Sequence, residues 1–426
     1  VVPTNVGREG ILGSGGRVGE HIMTMTATAG GKAAPAWRGG FGRLWTAAVV
    51  SRFGDSLRTA AMPLLAASLT DDPLLIASVT ACGHLPWLLF GLLGGAVADR
   101  VDQRRAMWAV DLVRGALMAG FAVAVALGHA GIALLLVLAF ALTTLQTLFD
   151  NAATALLPSL VPADTLAGAN ARLMTGQQLA GGLLAAPLVP ALLLAGPAVP
   201  YAADAATYVL AALLIASLRT GAPERPPRPA GSTLRAEMAE GLAVLRADRS
   251  LRWLCTATTL CNIGMGALIA TLVVLVTDGL HAGNTGYAAT ITAFAVGGVA
   301  GGFLARRIAE RTGRVRAVFL AGTVQTGCLG LLGTVPVLAV SIGAMAVFGF
   351  MGTVWNVQQT TLMQERAPEG MLGRIAAAFR TLAVAGAPLG AVLGGAAAAG
   401  WGPLTPALLA AALFALAVAS LAPLIN

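Results

Sequence analysis

Apolar residues run along this chain in long blocks separated by short polar breaks, and the block length sets the reading. A helix needs about 20 mainly apolar residues to cross a bilayer. Blocks of that size fall near residues 43–69, 74–97, 106–128, 131–157, 169–194, 198–218, 252–277, 286–307, 315–334, 337–362, 373–398 and 403–424. The pattern predicts an all-α polytopic membrane protein with twelve transmembrane helices. One block breaks the rule. Between "LWTAAVV" and "AAMPLLAASL" stands "SRFGDSLRTA", which carries Arg52, Asp55 and Arg58 into the first span.

Composition supports the membrane reading. The chain is 57% hydrophobic and 11% charged, against about 25% charged in soluble domains. Its 53 glycines suit helices packed through small faces. The net charge of +8 follows topology and does not call for nucleic acid. The N-terminal tail and the segments 98–106, 219–252, 306–316 and 364–374 hold nearly all the basic residues. The loops 70–73, 129–130, 195–198, 278–285, 335–336 and 399–402 hold no Lys or Arg. By the positive-inside rule both termini are expected in the cytoplasm, in a bacterial inner membrane.

The chain divides into a tail (1–40), a first six-helix half (41–219), a linker (220–250) and a second six-helix half (251–426). The tail lacks the apolar core of a signal peptide and is expected to be disordered, with Met23 or Met25 as candidate natural starts. The linker opens with "GAPERPPRPAGS". Leu234, Met238, Leu242 and Leu245 then recur at helical spacing, which predicts an amphipathic helix on the cytoplasmic face, as packing element or regulator. The two halves echo each other. Gly94-Gly95 matches Gly301-Gly302, Asn151 matches Asn356 and Pro162 matches Pro368. A steady offset of about 206 residues predicts two parallel repeats.

The loop "GGAVADRVDQRR" (94–105) resembles the signature of the major facilitator superfamily, with Gly95, Asp99, Arg100 and Arg104 in the matching positions. "NAATALLPSLVPADTLAGANA" and "DAATYVLAALL" are similar to the macrolide-efflux and enterobactin-exporter branch of its drug:proton antiporters. The fifth span carries Gly181, Gly182, Pro187 and Pro190 in a different register from the branch's antiporter motif; the eleventh has a closer variant, Gly386-Ala-Pro388-Leu-Gly390. The resemblance implies a gradient-driven carrier in which the Gly95/Asp99/Arg100/Arg104 loop gates conformation without holding substrate.

The candidate chemistry lies inside the spans. Asp55 falls about 16–21 Å into a core of about 30 Å, where each lipid-facing charge costs about 2.5–3.5 kcal/mol. The i, i+3, i+6 spacing lets Asp55 pair with Arg52 or Arg58. The cluster reads in three ways: a proton carrier, a structural or gating pair, or a substrate contact. Asp111 and Arg114 repeat the i, i+3 logic near the cytoplasmic end of the third span. Asp150 with Asn151, at the inner end of the fourth, is placed to engage loop arginines. Asp204 has no neighbouring base in sequence and needs a cross-helix partner or a proton. His84 is either a titrating group or a packing residue. Gln177, Gln178, Trp355, Asn356, Gln358 and Gln359 suit a cavity for a bulky amphipath or interhelical hydrogen bonding.

Several classes are set aside. Cys82, Cys255, Cys261 and Cys328 lack metal-ligand spacing. "TATAGGKAA", around the only lysine, Lys32, is not a nucleotide-binding loop. No catalytic set sits in a water-facing domain, so no enzyme, metal or cofactor is expected. The expectation is a monomeric transporter whose partners are the lipid bilayer and a small molecule, exporting a hydrophobic or amphipathic compound in exchange for protons. The alternatives are an uptake permease for a polar nutrient, or a transport-inactive sensor or lipid translocator.

Overall fold

The computed structural model describes residues 40–98, 102–162, 165–218, 234–366, 368 and 371–424. The tail, the Pro/Arg part of the linker and the loop residues Asp99 and Arg100 lie outside them. In the first half, α1 (Gly40–Leu69), α2 (Pro73–Ala98), α3 (Gln103–Ala126) and α4 (Ile132–Leu156) are unbroken. The fifth span is composite. Its α5 (Leu166–Gln178) passes through a π-helical segment, Leu179–Ala185, into α6 (Ala186–Ala195), and the two arms bend by 51°. Gly181, Gly182, Pro187 and Pro190 supply the cause, because each weakens the regular hydrogen-bond ladder or its packing. α7 (Val199–Ala216) closes this half.

The amphipathic helix α8 (Leu234–Ala247) packs on α9 and α13, with Leu245 buried in the main core. Asp248 then caps α9 (Arg249–Val274) by accepting from the Leu251 amide at 2.8 Å, and α9 ends in a π turn, Leu275–Gly279. α10 (Gly283–Thr312), α11 (Arg314–Thr334), α12 (Leu338–Arg366), α13 (Leu372–Trp401) and α14 (Thr405–Leu421) complete the second half. The twelve expected spans are thus met by helices at their positions. Among the described residues nine helices are long and apolar enough to cross a membrane, and the bent α5–α6 pair adds a tenth. α1, with its charges, and α2 fill the two remaining positions.

Helix pairing shows the repeat. α2 packs on α4 as α10 packs on α12; α3 on α7 as α11 on α14; α1 on α7 as α9 on α14; and α3 on α4 as α11 on α12. The halves meet through α2 against α13 and α9, and through α6 against α10. Ala77, Ala81, Ala270 and Ala391 form a small-residue seam there, toward the end of the bundle away from the termini.

Small residues set the closest approaches. A Cβ on Gly297 of α10 would collide with the Ala346 carbonyl of α12, so the backbones themselves touch. Gly343, on the same helix pair, faces open space. Gly297→Ala is expected to cost about 1–3 kcal/mol by overpacking and Gly343→Ala to be neutral. Thermal unfolding midpoints of the purified variants check the contrast.

Candidate functional site

The first half holds a buried charge network built by three helices. α1 contributes Asp55 and Arg58, α3 contributes Asp111 and Arg114, and α7 contributes Asp204, Thr207 and Tyr208. Arg114 is fully buried and sits at the centre. Its Nη2 donates to Asp55 Oδ1 at 2.7 Å and to Tyr208 Oη at 2.7 Å, and its Nη1 donates to Asp111 Oδ1 at 3.0 Å. Its guanidinium carbon lies 4.0 Å from the Tyr208 ring centroid and 5.9 Å from that of Phe149, so two aromatic faces replace part of its lost hydration. The Tyr208 hydroxyl donates to Asp55 Oδ1.

Arg58 bridges to the second part of the network. Its Nη2 donates to Asp55 Oδ1 at 3.0 Å, and its Nε stands 3.4 Å from Asp204 Oδ2. Asp204 is fully buried yet held loosely, with Thr207 Oγ1 at 3.4 Å from its Oδ1 and no hydrogen bond to Oδ2. Gly54 makes this approach possible, since a Cβ there would overlap Thr207 and Asp204. At Gly115, between α3 and α7, a Cβ would meet the Ala205 carbonyl at 3.5 Å, an ordinary contact.

Counting charge sharpens the chemistry. Three carboxylates, Asp55, Asp111 and Asp204, share two guanidiniums, Arg58 and Arg114. An unbalanced buried charge is costly, so the network is neutral only when one carboxyl carries a proton. Asp111 Oδ2 and Asp204 Oδ2 both lack a hydrogen-bond partner, whereas Asp55 Oδ1 receives three donors.

Other sequence candidates fall into three groups. The network absorbs Asp55, Arg58, Asp111, Arg114 and Asp204. Of the two arginines open to it, Asp55 pairs with Arg58, and also with Arg114 of another helix; Arg52 stays exposed. Asp111 and Arg114 form the expected i, i+3 pair in the first half of α3, and Arg114 also joins the α1 cluster.

A second group makes local or interhelical contacts. His84 Nδ1 lies 2.8 Å from the Thr80 carbonyl of its own helix, the geometry of a packing residue. Trp355 Nε1 donates to Gln359 Oε1 at 2.9 Å, Thr258 donates to the same oxygen at 3.0 Å, and Gln358 donates to the Ala305 carbonyl at 3.1 Å. These three were candidates for a cavity wall or for interhelical hydrogen bonds; Gln358 and Gln359 bond between helices of the second half, and Trp355 bonds within its own helix. Asp150 accepts from Gln146 Nε2 at 2.8 Å, and Asn151 donates to the Thr147 carbonyl at 2.7 Å.

A third group stays accessible. Gln178 and Asn356 are exposed and Gln177 is half-buried. In the loop motif, Gly95 lies in α2, Asp99 and Arg100 are outside the described residues, and Arg104 donates to the Ala216 carbonyl, tying α3 to the end of α7. Asp102, where the family motif has Gly, caps α3 by accepting from the Arg105 amide at 3.0 Å.

Sequence reasoning missed Tyr208 and Thr207. A signal was present: Asp204 and Tyr208 stand one helical turn apart, and two of the chain's three tyrosines lie on α7.

Comparison with known proteins gives the arrangement a context. Residues 44–391 match the model of the Major Facilitator Superfamily. The chain is 29% identical over 369 residues to the enterobactin exporter EntS of Shigella boydii serotype 4 (strain Sb227), covering 83% of this chain and 84% of that protein. Among solved structures, the nucleoside transporter NupG superposes with a TM-score of 0.69 at 12% identity, covering 90% of this chain and 99% of that one. A bacterial homologue of the iron transporter ferroportin, in an inward-facing state, gives 0.68 at 15% identity, with 90% and 97% covered.

Breaking the network at its centre is expected to be severe. Arg114→Met strands Asp111 and leaves Asp55 with only Arg58 and Tyr208; it should cost about 3–5 kcal/mol, read as lost folded yield and a lower unfolding midpoint. Adding Asp111→Asn to that variant should recover part of the loss. Tyr208→Phe, which removes one hydroxyl, should cost about 1–3 kcal/mol.

Proposed function

Because the chain belongs to the Major Facilitator Superfamily and resembles an exporter over most of its length, we propose that it is a proton-coupled exporter of a hydrophobic or amphipathic small molecule, of the antibiotic, siderophore or secondary-metabolite kind. Its two six-helix halves would alternate access to a central site across the bacterial inner membrane, with the termini in the cytoplasm. The similarity to an enterobactin exporter across most of both chains supports export. Cross-half packing at the end away from the termini fits a cavity open toward the cytoplasm in this state.

The observation that carries the coupling is the surplus carboxylate. Asp55 is the anchored acid: three donors converge on one of its oxygens. Asp204 is the exchangeable one, because its contacts are the longest in the network and one oxygen is without a hydrogen bond. With Asp204 protonated, Arg58 belongs to Asp55. When the proton leaves, the Asp204 carboxylate draws Arg58 toward α7, and the α1–α7 contact tightens. A proton thus selects between two pairings of one guanidinium, and such a two-position element can be tied to the movement of the halves. Asp111 remains paired with Arg114 in both.

The reading is tested in everted membrane vesicles and in cells. A deletion strain should accumulate a compound that the parent releases, seen by metabolite profiling of cells and medium. Asp204→Asn should lose accumulation driven by a pH gradient while retaining gradient-free exchange of the labelled compound. Asp55→Asn should abolish both. Full gradient-driven transport by Asp204→Asn would remove Asp204 from the coupling, and a growth defect on a nutrient with no export phenotype would favour uptake.

A further inference from the structure

Asp55 and Arg58 of α1 enter the buried network, whereas Arg52, turned about 60° and about 120° round the helix from them, is exposed on a stripe with Thr59, with half-buried Ser56 between them. Arg52 lies about 18 Å along this 30-residue helix, close to its midpoint. A guanidinium at that depth is costly against hydrocarbon, which argues for a water-facing position inside the bundle. The hydroxyls of the stripe bond back to their own helix: Ser56 to the Arg52 and Thr59 to the Asp55 carbonyl. Arg52 is therefore the group on this stripe with strong donors to offer.

Its surroundings are built to leave it available. Among the described residues no carboxylate oxygen lies within ion-pair distance of Arg52. Asp55 and Asp150 act on it electrostatically from further away, and Asp150 is engaged by Gln146. The π-helical segment of the fifth span packs alongside, and a Cβ on Gly181 would stand 3.4 Å from Arg52 Cγ and 2.6 Å from Ser56 Oγ. The missing side chain at Gly181 leaves room for the arginine stem. Met174 and Gln178, on the α5 arm that leads into this segment, are exposed and add an apolar surface and an uncharged donor. The equivalent position in the second half, 206 residues on, is Thr258, buried and bonded to Gln359 at 3.0 Å. The cation belongs to one wall alone.

We propose that Arg52 is the anion-recognising residue of the transport cavity, and that the cargo is an amphipath bearing a carboxylate, sulfonate or similar acidic group. The proposal rests on the export reading above. The guanidinium makes charge-assisted hydrogen bonds to the acidic group, and Met174 and Gln178 receive the rest of the molecule. Outward movement of an anion and inward movement of a proton carry charge in the same sense, so an inside-negative potential favours both.

The test uses two dyes on one scaffold, anilinonaphthalene sulfonate and its neutral counterpart phenylnaphthylamine, with the full chain in lipid nanodiscs. Arg52→Gln is expected to weaken binding of the sulfonate by about tenfold or more, and of the neutral dye by less than about twofold. Arg52→Lys should keep most of the sulfonate affinity. In everted vesicles, collapsing the membrane potential should lower sulfonate accumulation more than neutral-dye accumulation. Equal effects of Arg52→Gln on the two dyes, or none on either, would overturn the proposal. A binding difference that persists without any proton-driven movement would leave the anion site standing and remove the export reading. Proton-driven movement without the binding difference would do the reverse.

Discussion

Asp55 and Arg114 meet at 2.7 Å where α1, α3 and α7 cross, and the geometry of the first half is arranged around that contact. Bringing a carboxylate and a guanidinium together in a bilayer is unfavourable unless both are fully engaged. The structure engages them with Tyr208, Arg58, Asp111 and two aromatic rings. Gly54 brings α1 and α7 close enough for those bonds to form. With so many shared partners, each charged residue constrains its neighbours.

The second half repeats the architecture without the charges. At an offset of 206 residues, Asp55, Arg58, Asp204 and Tyr208 correspond to Cys261, Gly264, Ala410 and Phe414. The correspondence is physical: a Cβ on Gly264 would lie 3.0 Å from the Phe414 ring, so the α9–α14 contact is an apolar copy of α1–α7. Among the described residues, the buried polar groups of the second half are Thr, Ser and Gln, whose hydrogen bonds do not depend on protonation. Among the described residues the buried charge network lies in the first half, and its counterpart contact in the second half is apolar. An exposed Arg52 and a half-buried Arg58 about 120° round from it place a cavity cation and a network cation on one helix.

Much of this architecture is legible in the sequence because a membrane imposes strong rules. Twelve apolar blocks, the offset between the halves and the amphipathic repeat of Leu242 and Leu245 all follow from the need to bury apolar surface and satisfy backbone groups. Arg52, Asp55 and Arg58 stand out because charges are rare in such blocks. Partners were not legible, since spacing reports only neighbours along one helix. Asp55 has Arg52 three residues before it and Arg58 three after; the choice of Arg58, and the addition of Arg114 from α3, depend on helix packing. Trp355, Gln358 and Gln359 were ambiguous for the same reason: polar residues in a span face either a cavity or another helix, and only the direction of α12 decides. Tyr208 passed as an ordinary aromatic because its hydroxyl matters only once Asp55 and Arg114 are beside it.

The central claim is that three buried carboxylates share two guanidiniums and one proton, with the proton on Asp204. Infrared difference spectroscopy of the protein in lipid reads it directly, because a protonated carboxyl in a dry site has a C=O band separate from those of carboxylates and amides. The account predicts one such buried band near neutral pH, absent in Asp204→Asn and retained in Asp111→Asn. No protonated band in the native protein, or a band that survives Asp204→Asn and disappears with Asp111→Asn, would contradict it.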